Sequence, residues 1–106
     1  MSWVIECPEG LSKTGQRAAV IMNDFMKKYN LQTGGCQTLY HPEEWKGRGE
    51  KYGTESELVI VYDGGDLYDI MDGYLYNLQD ELIQAFDAIG VYFEPCTHWY
   101  CAVYKD

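Results

Sequence analysis

The residues of this 106-residue chain whose types could do chemistry are four cysteines, two histidines and a run of aspartates. Cys96-Thr97-His98-Trp99-Tyr100-Cys101 holds zinc-type ligands that Cys7, Cys36 or His41 could complete, but it lacks the paired CxxC spacing of a structural zinc site. In an extended chain Cys96 and His98 would also face one side and Cys101 the other, so only a turn could gather them. No local signature marks a Cys/His nucleophilic pair. Asp63-Gly64-Gly65-Asp66-Leu67-Tyr68-Asp69-Ile70-Met71-Asp72-Gly73 superficially resembles a calcium loop. Such a loop needs ligands at alternate residues and a closing glutamate at position 12, where this chain has Tyr74. Its aspartates fall at every third residue from Asp63 to Asp72. Ser12-Lys13-Thr14-Gly15 lacks the leading glycine of a phosphate loop. These patterns assign no catalytic residue, metal ligand or cofactor. The free cysteines are expected to act as small hydrophobes.

Charge is more informative. The chain carries 8 basic and 17 acidic residues, a formal net charge of −9. Residues 1–52 are nearly balanced, with Lys46-Gly47-Arg48-Gly49-Glu50-Lys51 as their basic cluster, whereas between Gly53 and Tyr104 there is no lysine or arginine at all. Nucleic-acid binding through a basic surface is therefore not expected. With 46% hydrophobic and 15% aromatic residues, the composition is that of a folded domain. No apolar run approaches the roughly 20 residues needed to span a bilayer. The N-terminal residues contain no secretory or transit signal, which points to a cytoplasmic protein with reduced thiols.

The elements that must position these charges follow from hydrophobic periodicity. Residues 2–7 read as a strand stopped at Pro8. A helix capped by Ser12 or Thr14 follows, burying Ala18, Met22, Phe25, Met26 and Tyr29. Residues 36–40 form a weak strand, and 42–56 read as a long, mobile polar connection. Leu58-Val59-Ile60-Val61-Tyr62 is a strand apolar on both faces and hence central. A single helix over 66–89, kinked at most at Gly73, gathers Leu67, Met71, Tyr74, Leu75, Leu78, Leu82, Ala85, Phe86 and Ile89 into one apolar arc of about 120°. Residues 91–105 read as a bulged strand or a hairpin turning near 96–98. The order β-α-β-β-α-β suggests one α+β domain over residues 1–106: a two-layer sandwich of ferredoxin-like type, with two helices on one face of an antiparallel sheet.

On that long helix Asp66, Asp69, Asp72, Asp80 and Asp87, with Tyr76, fall opposite the apolar arc, and Asp63 and Glu81 extend the negative region. No helical lysine or arginine can pair with this face. Solubility explains many charged faces, but mixed signs achieve that with less self-repulsion, and aspartate is a poor helix former. The expectation is a non-enzymatic binding or inhibitor protein. Its partner site comprises Asp63, Asp66, Asp69, Asp72, Tyr76, Asp80 and Asp87. Its partner is a basic protein surface, such as a nucleic-acid-binding protein countered by a DNA-mimicking anti-restriction or anti-CRISPR inhibitor; neither direct nucleic-acid binding nor a membrane is expected. The alternative is a small-molecule or metal-sensing module built on Cys96–Cys101.

Overall fold

The computed structural model describes residues 3–31, 37–62 and 65–106. In chain order these form α1 (Lys13–Lys28), β1 (Leu39–Tyr40), α2 (Pro42–Gly47), β2 (Leu58–Val61), α3 (Gly65–Met71), α4 (Tyr76–Asp87), β3 (Val91–Pro95) and β4 (Tyr100–Lys105). The class is α+β, with a four-stranded antiparallel sheet ordered β1-β2-β4-β3. None of the described helices is long and apolar enough to cross a membrane.

β2 is buried at every position and lies inside the sheet, as its uninterrupted apolar run requires. Leu58 and Ile60 join Val103 and Cys101 of β4 in a core covered by Ala18, Ala19, Met22 and Met26 of α1, Leu67 and Ile70 of α3, and Leu82 and Phe86 of α4. Val59 and Val61 point to the opposite face, where they meet Trp45, Tyr100 and the partly buried Tyr40, Cys96 and Trp99. The sheet is thus covered on both sides, three helices against one face and α2 against the other.

The ferredoxin-like β-α-β-β-α-β order does not occur among the described residues. Residues 3–7 form no strand: the backbone N–H groups of Val4 and Ile5 instead donate to the buried Asn23 side-chain oxygen, at 2.7 and 3.4 Å. In a ferredoxin-like sheet an N-terminal strand would lie beside the third strand. Here β4 takes that place against β2. The 91–105 segment is the hairpin alternative, turning through residues 96–99.

Helix α1 starts where expected. The Ser12 hydroxyl accepts from the Gly15 N–H at 3.0 Å and donates to the Glu57 carboxylate at 2.8 Å. A Cβ at Gly15 would lie 2.5 Å from the Glu57 carbonyl oxygen. That approach explains a glycine inside a helix despite its cost of about 1 kcal/mol against alanine.

The expected polar connection over 42–56 is corrected in its first half. Pro42 opens α2, the His41 ring Nδ1 accepts from the Glu43 N–H at 3.0 Å, and Trp45 is wholly buried. Here one aromatic residue outweighs its glycine- and charge-rich neighbours, because burying an indole removes 150–250 Å² from water. Arg48 of the basic cluster stacks over the Trp45 ring at 4.5 Å and the Tyr40 ring at 5.4 Å. The Trp45 indole N–H has no hydrogen-bond partner among the described residues. Trp45→Ala should lower unfolding free energy by about 3–5 kcal/mol in urea titrations. Trp45→Phe should cost less, because it keeps an aromatic ring in the same site.

Candidate functional site

The aspartates expected on one long helix sit on two. Gly73 adopts φ +87° and ends α3 in the left-handed conformation that glycine accepts freely, and α4 begins only at Tyr76. A glycine costly inside a helix costs nothing just past its end, so the chain breaks there although the apolar register continues. The carbonyls of Ile70, which also takes the Gly73 N–H, and of Met71 each accept from the Gln79 side-chain amide at 3.1 Å, which ties the two helices together.

The break changes which residues are buried. Leu67, Met71, Leu82 and Phe86 face the core as expected, and Ile70, which the long-helix reading left out, is also fully buried. Tyr74 and Leu75 leave the apolar arc and enter solvent: Tyr74 is 79% exposed. With Tyr76, 69% exposed, they make an aromatic projection at the corner between α3 and α4.

The structure divides the predicted site residues into groups. Asp63 lies outside the described residues. Asp66 is in the first turn of α3 and half-buried, where the helix dipole favours an anion. Asp69 lies on α3 and Asp72 just beyond its end, both exposed. Tyr76, Asp80 and Asp87 remain together. At about 100° per residue they share a stripe of roughly 60° on α4 that also contains Ile83. All four are exposed, and Asp80 accepts a hydrogen bond from Gln84 at 2.8 Å. The five-aspartate arc is therefore corrected to two shorter acidic stretches meeting at an aromatic corner.

Glu81 does not extend the negative region. It accepts from the Tyr29 hydroxyl and from Lys28, whose ammonium lies 3.2 Å away, and so pins α4 to α1. Among the described residues the ion pairs are Lys28–Glu81 and Arg48–Glu50, and neither involves Asp69, Asp72, Asp80 or Asp87. The Tyr29 hydrogen bond, followed by Lys28, holds the Glu81 carboxyl below its ordinary value. Its contribution is present above the ordinary glutamate value and fades as pH falls through the lowered one. Glu81→Gln should therefore destabilise the protein most at neutral pH, and thermal melts of the two proteins should converge on acidification.

The Cys96–Cys101 region does not converge. Pro95 pairs with Cys101 in the hairpin, so Cys101 points into the main core while Cys96 joins the aromatic cluster on the opposite face. His98 is exposed in the turn between them. Among the described residues no three His, Cys, Asp or Glu side chains are placed to hold a metal ion. Burial pushes the Cys96 thiol up to about 11 and the Cys101 thiol well above its ordinary value, so neither is a thiolate at neutral pH. Burial raises Cys7 as well. At pH 7.5 Cys101 should resist iodoacetamide until the protein is unfolded, and Cys96 should alkylate far more slowly than a free thiol, as read by peptide mass mapping. Cys36 lies outside the described residues.

Two features were not anticipated from the sequence: the aromatic corner, and a groove between α4 and β3 lined by Ile83, Phe86, Asp87, Val91, Tyr92 and Phe93. Gly73 was the available signal for the first. The second depends on β3 lying at the sheet edge, which only the strand order specifies. No protein-family model, curated protein or solved structure matches the chain.

Proposed function

We propose that the protein is a non-enzymatic binding module whose α3–α4 corner engages a basic surface on a nucleic-acid-binding protein, competing there with nucleic acid. The observation that carries this reading is the exposure of Asp69, Asp72, Asp80 and Asp87, without cationic partners among the described residues, around the exposed Tyr74 and Tyr76. Short carboxylates with fixed backbone positions present charge in a defined pattern. Tyrosines supply the amphipathic contact area that recurs at interface centres. The field of a chain at −9 also speeds encounter with a cationic target. DNA mimicry of the anti-restriction or anti-CRISPR kind is the biological role that best fits such a surface. That assignment rests on size, acidity and the absence of a catalytic motif in the sequence.

A displacement assay tests the reading. A fluorescent DNA duplex is bound to each of a panel of restriction and CRISPR nucleases, and the protein is titrated in at rising salt. The expected result is displacement from at least one member, weakening steeply as salt screens the contact. Asp69→Asn, Asp72→Asn, Asp80→Asn and Asp87→Asn together should abolish displacement while the melting temperature holds or rises. A charge-matched control with glutamine at Glu9, Glu43, Glu44 and Glu55 should still compete. Equal loss in both variants would reduce the effect to net charge, and no displacement from any member would refute the proposal.

A further inference from the structure

β3 is an edge strand: β4 pairs with one side of it, and no described strand pairs with the other. The Asp106 N–H donates to the Gly90 carbonyl and the Cys96 N–H to the Tyr100 carbonyl, at 2.9 and 3.1 Å. In the alternation of an antiparallel ladder, these two bonds place the backbone groups of Tyr92 and Glu94 toward β4. The N–H and C=O groups of Val91 and Phe93 therefore point away from the sheet. Pro95, the third residue of that parity, offers only its carbonyl, which blunts one end of the edge and leaves the other open.

Beside this edge runs the groove between β3 and α4, with a volume of about 260 Å³. Ile83 and Tyr92, 43% and 44% exposed, line it together with Phe86 and Phe93, whose rings meet edge-on at 6.0 Å. Asp87 stands on its rim. Glu94 projects from the same strand and Asp106 follows the neighbouring one; both are exposed. Lys105, opposite Val91 on β4, is the one basic residue after Lys51.

We infer that the open edge of β3 receives an extended, lysine- or arginine-bearing segment of the partner protein, which adds to the sheet as a fifth strand. This inference rests on the reading above and specifies how the partner is gripped. Main-chain pairing with Val91 and Phe93 supplies register. Alternate apolar side chains of the incoming segment enter the groove over Ile83 and Phe86, and its cations, on the opposite face of the added strand, meet Glu94 within the field of Asp106. Charge selects this occupant over a second copy of the chain, since edge-to-edge pairing of two copies would set like-charged edges against each other on molecules that each carry −9.

The test uses the intact protein and a synthetic peptide of about eight alternating lysines and valines, long enough to span the edge at roughly 3.3 Å per residue. Amide exchange by NMR should reveal new protection at Val91 and Phe93. Methylating every second peptide nitrogen, in the register that removes the pairing donors, should weaken binding at least about tenfold, while the other register binds normally. Ile83→Lys, a change at an exposed site, should abolish peptide binding without altering the melting temperature. Equal binding of both methylated peptides, protection elsewhere, or no binding would overturn the inference. So would a dimer in light scattering whose interface protects the same amides, since the occupant would then be a second copy. The two proposals fail separately: displacement of duplex by Ile83→Lys at wild-type strength sinks the strand addition alone, whereas no displacement by the wild-type protein sinks the acidic-surface reading whatever the peptide does.

Discussion

Burial of β2 on both faces is the constraint from which the remaining architecture follows. Leu58 and Ile60 demand cover on one side, Val59 and Val61 on the other. Three helices meet the first demand. The second falls to a six-residue helix whose one large apolar residue, Trp45, is held between the sheet and Arg48. Because α2 is short, that face depends on aromatic packing: Tyr40, Trp99 and Tyr100 all lie within 6 Å of Trp45, centroid to centroid. A two-layer sandwich would have left Val59 and Val61 in water, at a cost of about 1.5–3 kcal/mol for each side chain.

How much was legible in the sequence depended on the range of the signal. Helix α1, its Ser12 cap and the central place of β2 come from local patterns, a capping hydroxyl and an unbroken apolar run, and both were readable. The 66–89 segment misled because two helices in the same register produce one continuous stripe. Periodicity reports which side is apolar and is silent on whether the axis bends. Gly73 carried the missing information, but a helix-interior glycine and a helix-ending glycine look alike until the backbone angle is known. The expected N-terminal strand failed over its described residues 3–7 for another reason: the Val4 and Ile5 donors are taken by Asn23, eighteen or more positions away, and no local reading anticipates that.

The candidate site was legible in composition and illegible in shape. Asp80, Asp87 and Tyr76 stayed together since they lie within one helix, while Asp69 went to α3 and Asp72 to the link just beyond it when the axis broke. Glu81 was lost to Lys28 and Tyr29 because pairing between helices is invisible to a count of neighbours along one of them. The separation of Cys96 from Cys101 was foreseeable from strand parity, and the hairpin keeps them on opposite faces.

The three indoles occupy three distinct settings, and this gives the molecule an internal optical gauge. Trp3 stands in water, Trp99 is half-buried at the hairpin turn, and Trp45 is sealed beneath a guanidinium. Emission from the sealed ring reports the second face alone. A shift of that signal to longer wavelength while circular dichroism stays constant would mean that the Trp45 layer had parted from the sheet with α1, α3 and α4 still in place.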